Sequence, residues 1–178
     1  MSIKKAMQGY FALRKEMADE GLDFLFMTPF LEDVDPLIYA GEVDEEGYVT
    51  WNPVEKREFH DLKTLEEALD TRIHPSIIEY FNAYWFVDLE GFIQDHNVNL
   101  ESVQPGKFVQ SFRDLLIGYK NNHDSKLAHI PIGIEGDGLI VVVDNEDGSV
   151  KLEDFERNSF GVISESLEQL ISTLRLKR

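Results

Sequence analysis

The order of apolar patterns predicts an α+β fold: a single domain with a mainly antiparallel, twisted sheet flanked by helices. Three observations carry this. Three- and four-residue apolar spacing marks both ends of the chain as helical. Short alternating or continuous apolar runs, separated by Gly-containing turns, fill the last third. No repeat, low-complexity tract or linker divides the 178 residues, a length that suits one core and is short for two. The whole span 1–178 is therefore expected to be one domain.

Ser2 is placed to cap a first helix in which Ile3, Met7, Tyr10, Phe11, Arg14 and Met17 share a face, and Gly21 ends it. Leu22–Glu32, apolar around Pro29, reads as a packed loop. PLIYAGEV and GYVTWNPV flank Asp44–Gly47 as a hairpin, with Gly47 supplying positive φ. Pro53 lacks a ladder donor and closes the second strand. Thr64 with Glu67 three positions on has the form of a capping box, which starts a short helix. Pro75 suits the first turn of another helix, whose inner face holds Ile77, Ile78, Phe81 and Trp85.

Two strands are expected between Trp85 and Val103. A helix follows Pro105-Gly106, over Lys107–Tyr119, with Phe108, Phe112, Leu115 and Leu116 inward, and Asn121–Ser125 is a loop. Ile130, Ile132 and Ile134 alternate, and Leu139–Val143 reads as a strand buried on both faces. Asn145–Gly148 forms a turn into a partner strand carrying Val150, Leu152 and Phe155. Ser164 or Ser166 caps a final helix with Leu167, Leu170, Ile171 and Leu174 inward.

Composition removes whole classes of function. With no cysteine, thiolate nucleophiles, disulfides and Cys-based zinc sites are excluded, which agrees with a reducing compartment. The N-terminus lacks the uncharged apolar core of a secretory signal. The longest aliphatic run, Leu139–Val143, is far short of the roughly 20 residues a membrane span needs. The expectation is a cytoplasmic protein, peripheral to a membrane at most. Thirty-four acids against 17 bases leave a net charge of −17. Residues 32–70 carry 13 acids and 3 bases, and residues 135–156 carry 8 acids and 1 base. Such a surface repels nucleic acid and anionic lipid and favours a basic protein partner, although acidity also serves solubility alone.

No catalytic constellation emerges. His60, His74, His96, His123 and His129 are scattered without zincin spacing, and no G-x-S-x-G is present. Gly133, Gly136 and Gly138 miss the dinucleotide fingerprint and precede an apolar strand, which makes them a turn. Asp144–Gly148 lacks the ligand offsets of a calcium loop. Acid pairs abound, but nothing selects one as a glycosidase couple. Catalytic residues, cofactor and metal are all expected to be none.

The stretch Gly47–Trp85 sets an aromatic strand with a Trp-x-Pro exit ahead of a short acidic helix, a His-Pro helix start and an aromatic-rich helix. In that order it resembles the Syd family, small cytosolic bacterial proteins that contact the SecY protein-export channel. That family is part of the SUKH superfamily, many of whose members are immunity proteins that neutralise toxins. The likeness continues through Ile130–Phe155 and Ser164–Leu174, and the first thirty residues match only loosely. The resemblance implies a sheet flanked by helices, binding rather than catalysis, and an acidic concave face.

On the residues themselves, Tyr48, Trp51, Tyr80, Tyr84 and Trp85 lie among Glu66, Glu67, Asp70 and Glu79. Rings offer contact area at low entropic cost, and carboxylates around them can pair with a partner's Lys or Arg. The expected partner-binding set is Tyr48, Trp51, Glu66, Glu67, Asp70, His74, Glu79 and Tyr80, an aromatic floor with an acidic rim. Core packing is the competing reading for Trp51, and it is accepted for Phe81 and Trp85. His74 reads either as a groove-lining donor or as a pre-proline residue capping the helix start. Three functions follow: a module that binds basic SecY loops, an immunity protein covering a basic nuclease toxin, or an enzyme with an undetected carboxylate pair.

Overall fold

A computed structural model describes residues 1–176. Helix α1 (Ile3–Asp19) starts on Ser2, whose Oγ accepts the Lys5 N–H at 3.3 Å. Its buried stripe includes Arg14, only 2% exposed. The guanidinium donates to the Leu25 carbonyl, the Tyr10 hydroxyl and Asp88, and lies over the Phe26 and Trp51 rings. A buried cation so paired is tolerable where an unpaired one would not be.

Strands β1 (Met27–Pro29), β2 (Tyr39–Ala40) and β3 (Tyr48–Trp51) form a small antiparallel sheet in the order β1-β3-β2. The hairpin around Gly47 forms as the sequence predicts, with φ +86° at that residue. Leu22–Glu32, expected to be a loop, contains a 3-10 turn (Asp23–Phe26) and β1. A three-residue strand ending in Pro is too short to display period-two alternation. Strand β4 (Val54–Glu55) pairs with β5 (Tyr84–Trp85), so Trp85 stands on a strand beyond the helix that carries Ile77 and Phe81.

Helix α2 (Lys63–Leu69) begins without the expected capping box. Leu62 occupies the cap at φ +55° and offers no side-chain acceptor. Glu66 instead accepts the Ile73 N–H at 2.7 Å. Helix α3 (Pro75–Ala83) takes Pro75 in its first turn, and the His74 ring accepts the Ser76 N–H at 3.2 Å. The capping reading of His74 is thus realised. That ring also packs against Gly148, where an added Cβ would meet it at 2.5 Å.

The main sheet is antiparallel throughout, in the order β11-β10-β9-β8-β7-β6. Its strands are β6 (Leu89–Ile93), β7 (His96–Leu100), β8 (His129–Glu135), β9 (Ile140–Asp144), β10 (Val150–Asp154) and β11 (Ser159–Ser164). Helix α4 (Phe108–Asn122) lies between β7 and β8, running three residues past its expected end, and α5 (Leu167–Thr173) is capped by Ser166. Cross-strand partners share a face. Register therefore puts Ile130, Val141, Val143, Val150 and Leu152 on one side, inside the continuous core to which α1, α3 and α5 contribute. His129, Pro131, Ile140, Val142, Lys151, Glu153, Phe160 and Val162 lie on the other.

Two departures here shape the outer face of the sheet. The β8 register shifts between Pro131 and Gly133, with Ile132 the additional residue. Parity flips at such a bulge, so Ile134, expected inward by simple alternation, is 62% exposed. Gly133 is required because β7 passes so close that a Cβ would stand 2.4 Å from the Asn99 carbonyl oxygen. Strand β11 was not expected, since Ser and Gly interrupt its apolar residues, and Phe155 falls in the preceding turn.

Asp144 organises the β9–β10 turn. One oxygen accepts the Glu146 and Asp147 N–H groups and the other accepts from Lys151 Nζ at 2.7 Å. Burial opposes ionisation, but these donors outweigh it and hold the carboxyl at about 2. A depressed folded value contributes stability that is present above the unfolded value and lost as pH falls through the folded one. Asp144→Asn keeps the turn acceptor and removes the charge. It should cost about 2 kcal/mol at neutral pH, and the gap from wild type should close as pH falls from about 4 to 2, followed by urea midpoints across that range.

Candidate partner-binding groove

The expected aromatic floor is core. Trp51 and Tyr80 are fully buried, and Tyr84 and Trp85 are 8% and 5% exposed. Trp51 packs against Phe11 and Phe26, while Tyr80 packs against Phe81 and Phe86 and donates its hydroxyl to the Glu101 carbonyl at 2.6 Å. A partner cannot touch either ring in the folded state, which corrects their assignment to a contact surface. Sequence proximity misled because Glu79 and Tyr80, adjacent in the chain, point in directions about 100° apart on a helix.

The remaining members are dispersed. Glu67 and Asp70 are exposed on and beyond α2, and Tyr48 is 40% exposed at the start of β3. Glu66 is half-buried on the Ile73 N–H, and exposed Glu79 accepts the Ile3 N–H at 2.8 Å, tying α3 to the start of α1. Reversing Glu66 therefore carries a folding cost that the sequence did not show. His74 is engaged at its cap. These residues form no ring-lined hollow.

A recess of about 500 Å³ lies elsewhere, between α4 and the sheet face that carries Ile140 and Glu153. Pro131, Gly133, Ile134 and Ile140 form its floor. Asp114, Leu115, Gly118, Tyr119, Asn122 and His123 of α4 and its C-cap form one wall, and Phe155 and Glu101 complete it. The lining holds two carboxylates and neither Lys nor Arg. Burial raises the Glu101 carboxyl above its ordinary value. Ile134 and Phe155 are 62% and 55% exposed, and Val162 extends the apolar surface along the same face at 62%. Apolar area this accessible, rimmed by polar groups, makes this recess the candidate site.

The wall is set by a clamp beneath it. Glu153 is 3% exposed and has no Lys or Arg salt-bridge partner among the described residues. One oxygen accepts from the Tyr119 hydroxyl at 2.6 Å and the other meets His123 Nε2. His123 stacks on Tyr119 with ring centroids 3.7 Å apart, and its Nδ1 donates to the Tyr119 carbonyl in the last turn of α4, where carbonyls run short of helical partners. With Nδ1 given to that carbonyl, Nε2 is the ring nitrogen left to face Glu153. Burial, then the bond to Glu153, pushes the Tyr119 phenol far above its ordinary value.

Gly118 sits one turn from the end of this wall. A Cβ there would meet nothing within 4 Å, so packing does not explain a residue that costs a helix interior about 1 kcal/mol relative to Ala. It leaves the recess wide. This mid-helix glycine was the available sequence signal, since the lining carboxylates Glu101 and Asp114 lie outside both acid-rich segments, and the expected site was placed elsewhere on aromatic density.

The family model described as Syd protein (SUKH-2) matches residues 3–175. The match includes the first thirty residues, which resemble the family only loosely by eye. Protein Syd of Idiomarina loihiensis is 30% identical over 144 residues, covering 79% of this chain and 78% of that one. Protein Syd of Hahella chejuensis is 27% identical over 158 residues, covering 88% and 78%. Protein Syd of Psychromonas ingrahamii is 26% identical over 137 residues, covering 75% and 74%.

Tyr119→Phe should leave one Glu153 oxygen without its donor in a dry site, at a cost of roughly 1–3 kcal/mol in urea unfolding. Hydrogen exchange should quicken first over the C-terminal half of α4. A change below 0.5 kcal/mol, of the order of ordinary surface substitutions, would show that the clamp is not what seats the helix.

Proposed function

The chain belongs to the Syd family, and on that premise we propose that it is a non-enzymatic cytoplasmic binding protein whose α4–sheet groove receives basic cytosolic loops of the SecY channel. The observation that carries this reading is the groove itself: an apolar floor, two carboxylates in the lining and no cation to compete with a guest's own. Cytoplasmic loops of membrane proteins are rich in Lys and Arg, which matches that sign. Contact with the membrane then occurs only through the protein partner. Nucleic acid is disfavoured as a ligand by like charge.

Two bases lie inside and two acids, Glu135 and Glu153, lie inside with them, so the acid excess of the whole chain is carried by the exterior. Arg14 is one of the bases. Lys56 is the other, 7% exposed, with Nζ 3.9 Å from the Trp85 ring centroid and donating to the Phe81 carbonyl at 2.9 Å. Glu67, Asp70 and Glu79 are assigned to the field that steers a cationic partner in rather than to direct contact, and Tyr48, exposed but uncharged, is given no part in it. Glu66 and His74 are given structural duties. Steering of this kind changes association rate and salt dependence more than final affinity.

Binding to SecY in lipid nanodiscs at moderate salt tests the assignment. Gly118→Leu, which fills the recess, and Asp114→Lys, which reverses its rim, should each weaken binding about tenfold, a loss of about 1.4 kcal/mol. Glu67→Lys should change affinity less than about threefold and act mainly on the association rate. Loss of binding in Glu67→Lys with neither groove variant affected would move the site to α2. Capture of a basic nuclease toxin with no capture of SecY would replace this reading with immunity.

A further inference from the structure

We propose that strand β11 is an open sheet edge that pairs with an extended, cationic segment of the protein partner, which adds a seventh strand beside the groove. This rests on the partner-binding reading above and gives the guest a backbone conformation. The two edges of the main sheet are treated differently. At β6, the Phe92 and Arg175 backbones exchange hydrogen bonds at 2.8 and 2.9 Å. A Cβ on Gly91 would stand 2.9 Å from the Arg175 carbonyl oxygen, so that edge is closed.

At β11, Ser159, Phe160, Gly161 and Val162 are all exposed. Among the described residues their backbone makes no strand pairing other than the β10 ladder, and space above Gly161 is open. Unpaired strand edges template further pairing, and natural proteins blunt them with charge, Pro, bulges or a covering segment. The sequence Ser-Phe-Gly-Val-Ile-Ser has no charge and no Pro. The one bulge of this pair falls at Val150/Lys151, opposite the buried end of the strand. Phe160 stacks on His129 at 4.2 Å and 14°, which orders the strand before any guest arrives.

Charge selects the occupant. A second copy would bring another −17 against the first. Asp154 and Glu156 flank one end of β11 and exposed Glu165 the other, while the two nearby bases are engaged, Arg157 by Asp154 at 3.6 Å and Lys151, opposite Val162, by Asp144 at 2.7 Å. A strand bearing Lys or Arg meets opposite charge at both ends. Its main chain supplies affinity and its alternate side chains extend the apolar row begun by Val162.

The test uses the full chain, a ten-residue peptide alternating Lys and Val, and the same peptide N-methylated at every amide. By NMR hydrogen exchange, the unmodified peptide should slow the outward amides among Phe160–Val162 at least tenfold. The N-methylated peptide should bind at least tenfold more weakly, as should the unmodified peptide to Val162→Lys. Equal binding of the two peptides overturns the proposal. Protection confined to Leu115–Asn122 overturns it while leaving the groove reading intact, and protection at neither place refutes both. Protection of β11 that grows with protein concentration and needs no peptide assigns the edge to a second copy instead.

Discussion

A carboxylate buried beneath a helix sets the shape of the α4–sheet groove. Glu153 is out of water and has to be met by donors, and both come from α4, four residues apart. Residues i and i+4 share a helix face, so satisfying Glu153 through Tyr119 and His123 fixes the rotation of α4 as well as its distance from the sheet. Leu115, Gly118 and Asn122 are then carried to the groove. The helix cannot roll inward to bury Ile134 without breaking the clamp. An apolar floor stays accessible because a polar demand has priority over it.

The same priority explains the division of charge. Arg14 and Lys56 are interior cations that spend their donors on carbonyls and aromatic faces as well as on carboxylates. Arg14 joins α1, the turn before β1 and the segment before β6, tying the small sheet to the large one. Burial pulls the Lys56 ammonium down to about 8. Carboxylates meanwhile stay outside, with Glu135 and Glu153 the buried exceptions. Anything approaching this surface meets negative potential first and apolar surface second.

Much of the architecture was legible because local physics decides it. Ser2, Ser166, Pro75 and Gly47 act through their own backbone neighbourhood, and their positions announce the elements they bound. The continuous run ending at Val143 could only be a strand covered on both faces. The misses share a different cause. Ile134 points outward because of a bulge at Ile132, and a bulge leaves no mark in composition. Strand β11 carries Ser and Gly where a reader looks for alternation. The expected aromatic floor failed for a related reason: Trp51, Tyr80 and the acids of α2 and α3 are close along the chain, but the fold sends these rings in and most of the carboxylates out. The groove is assembled from α4, β8, β9 and a turn, elements separated by tens of residues.

The most direct test of a groove-bound basic guest is chemical-shift mapping of the isotope-labelled chain titrated with a synthetic SecY cytosolic-loop peptide. Saturating shifts at Leu115, Gly118, Ile134, Ile140 and Phe155, weakening as salt is raised, are the predicted result. Shifts gathered instead at Tyr48, Glu67 and Asp70, with the groove amides unmoved, would contradict it.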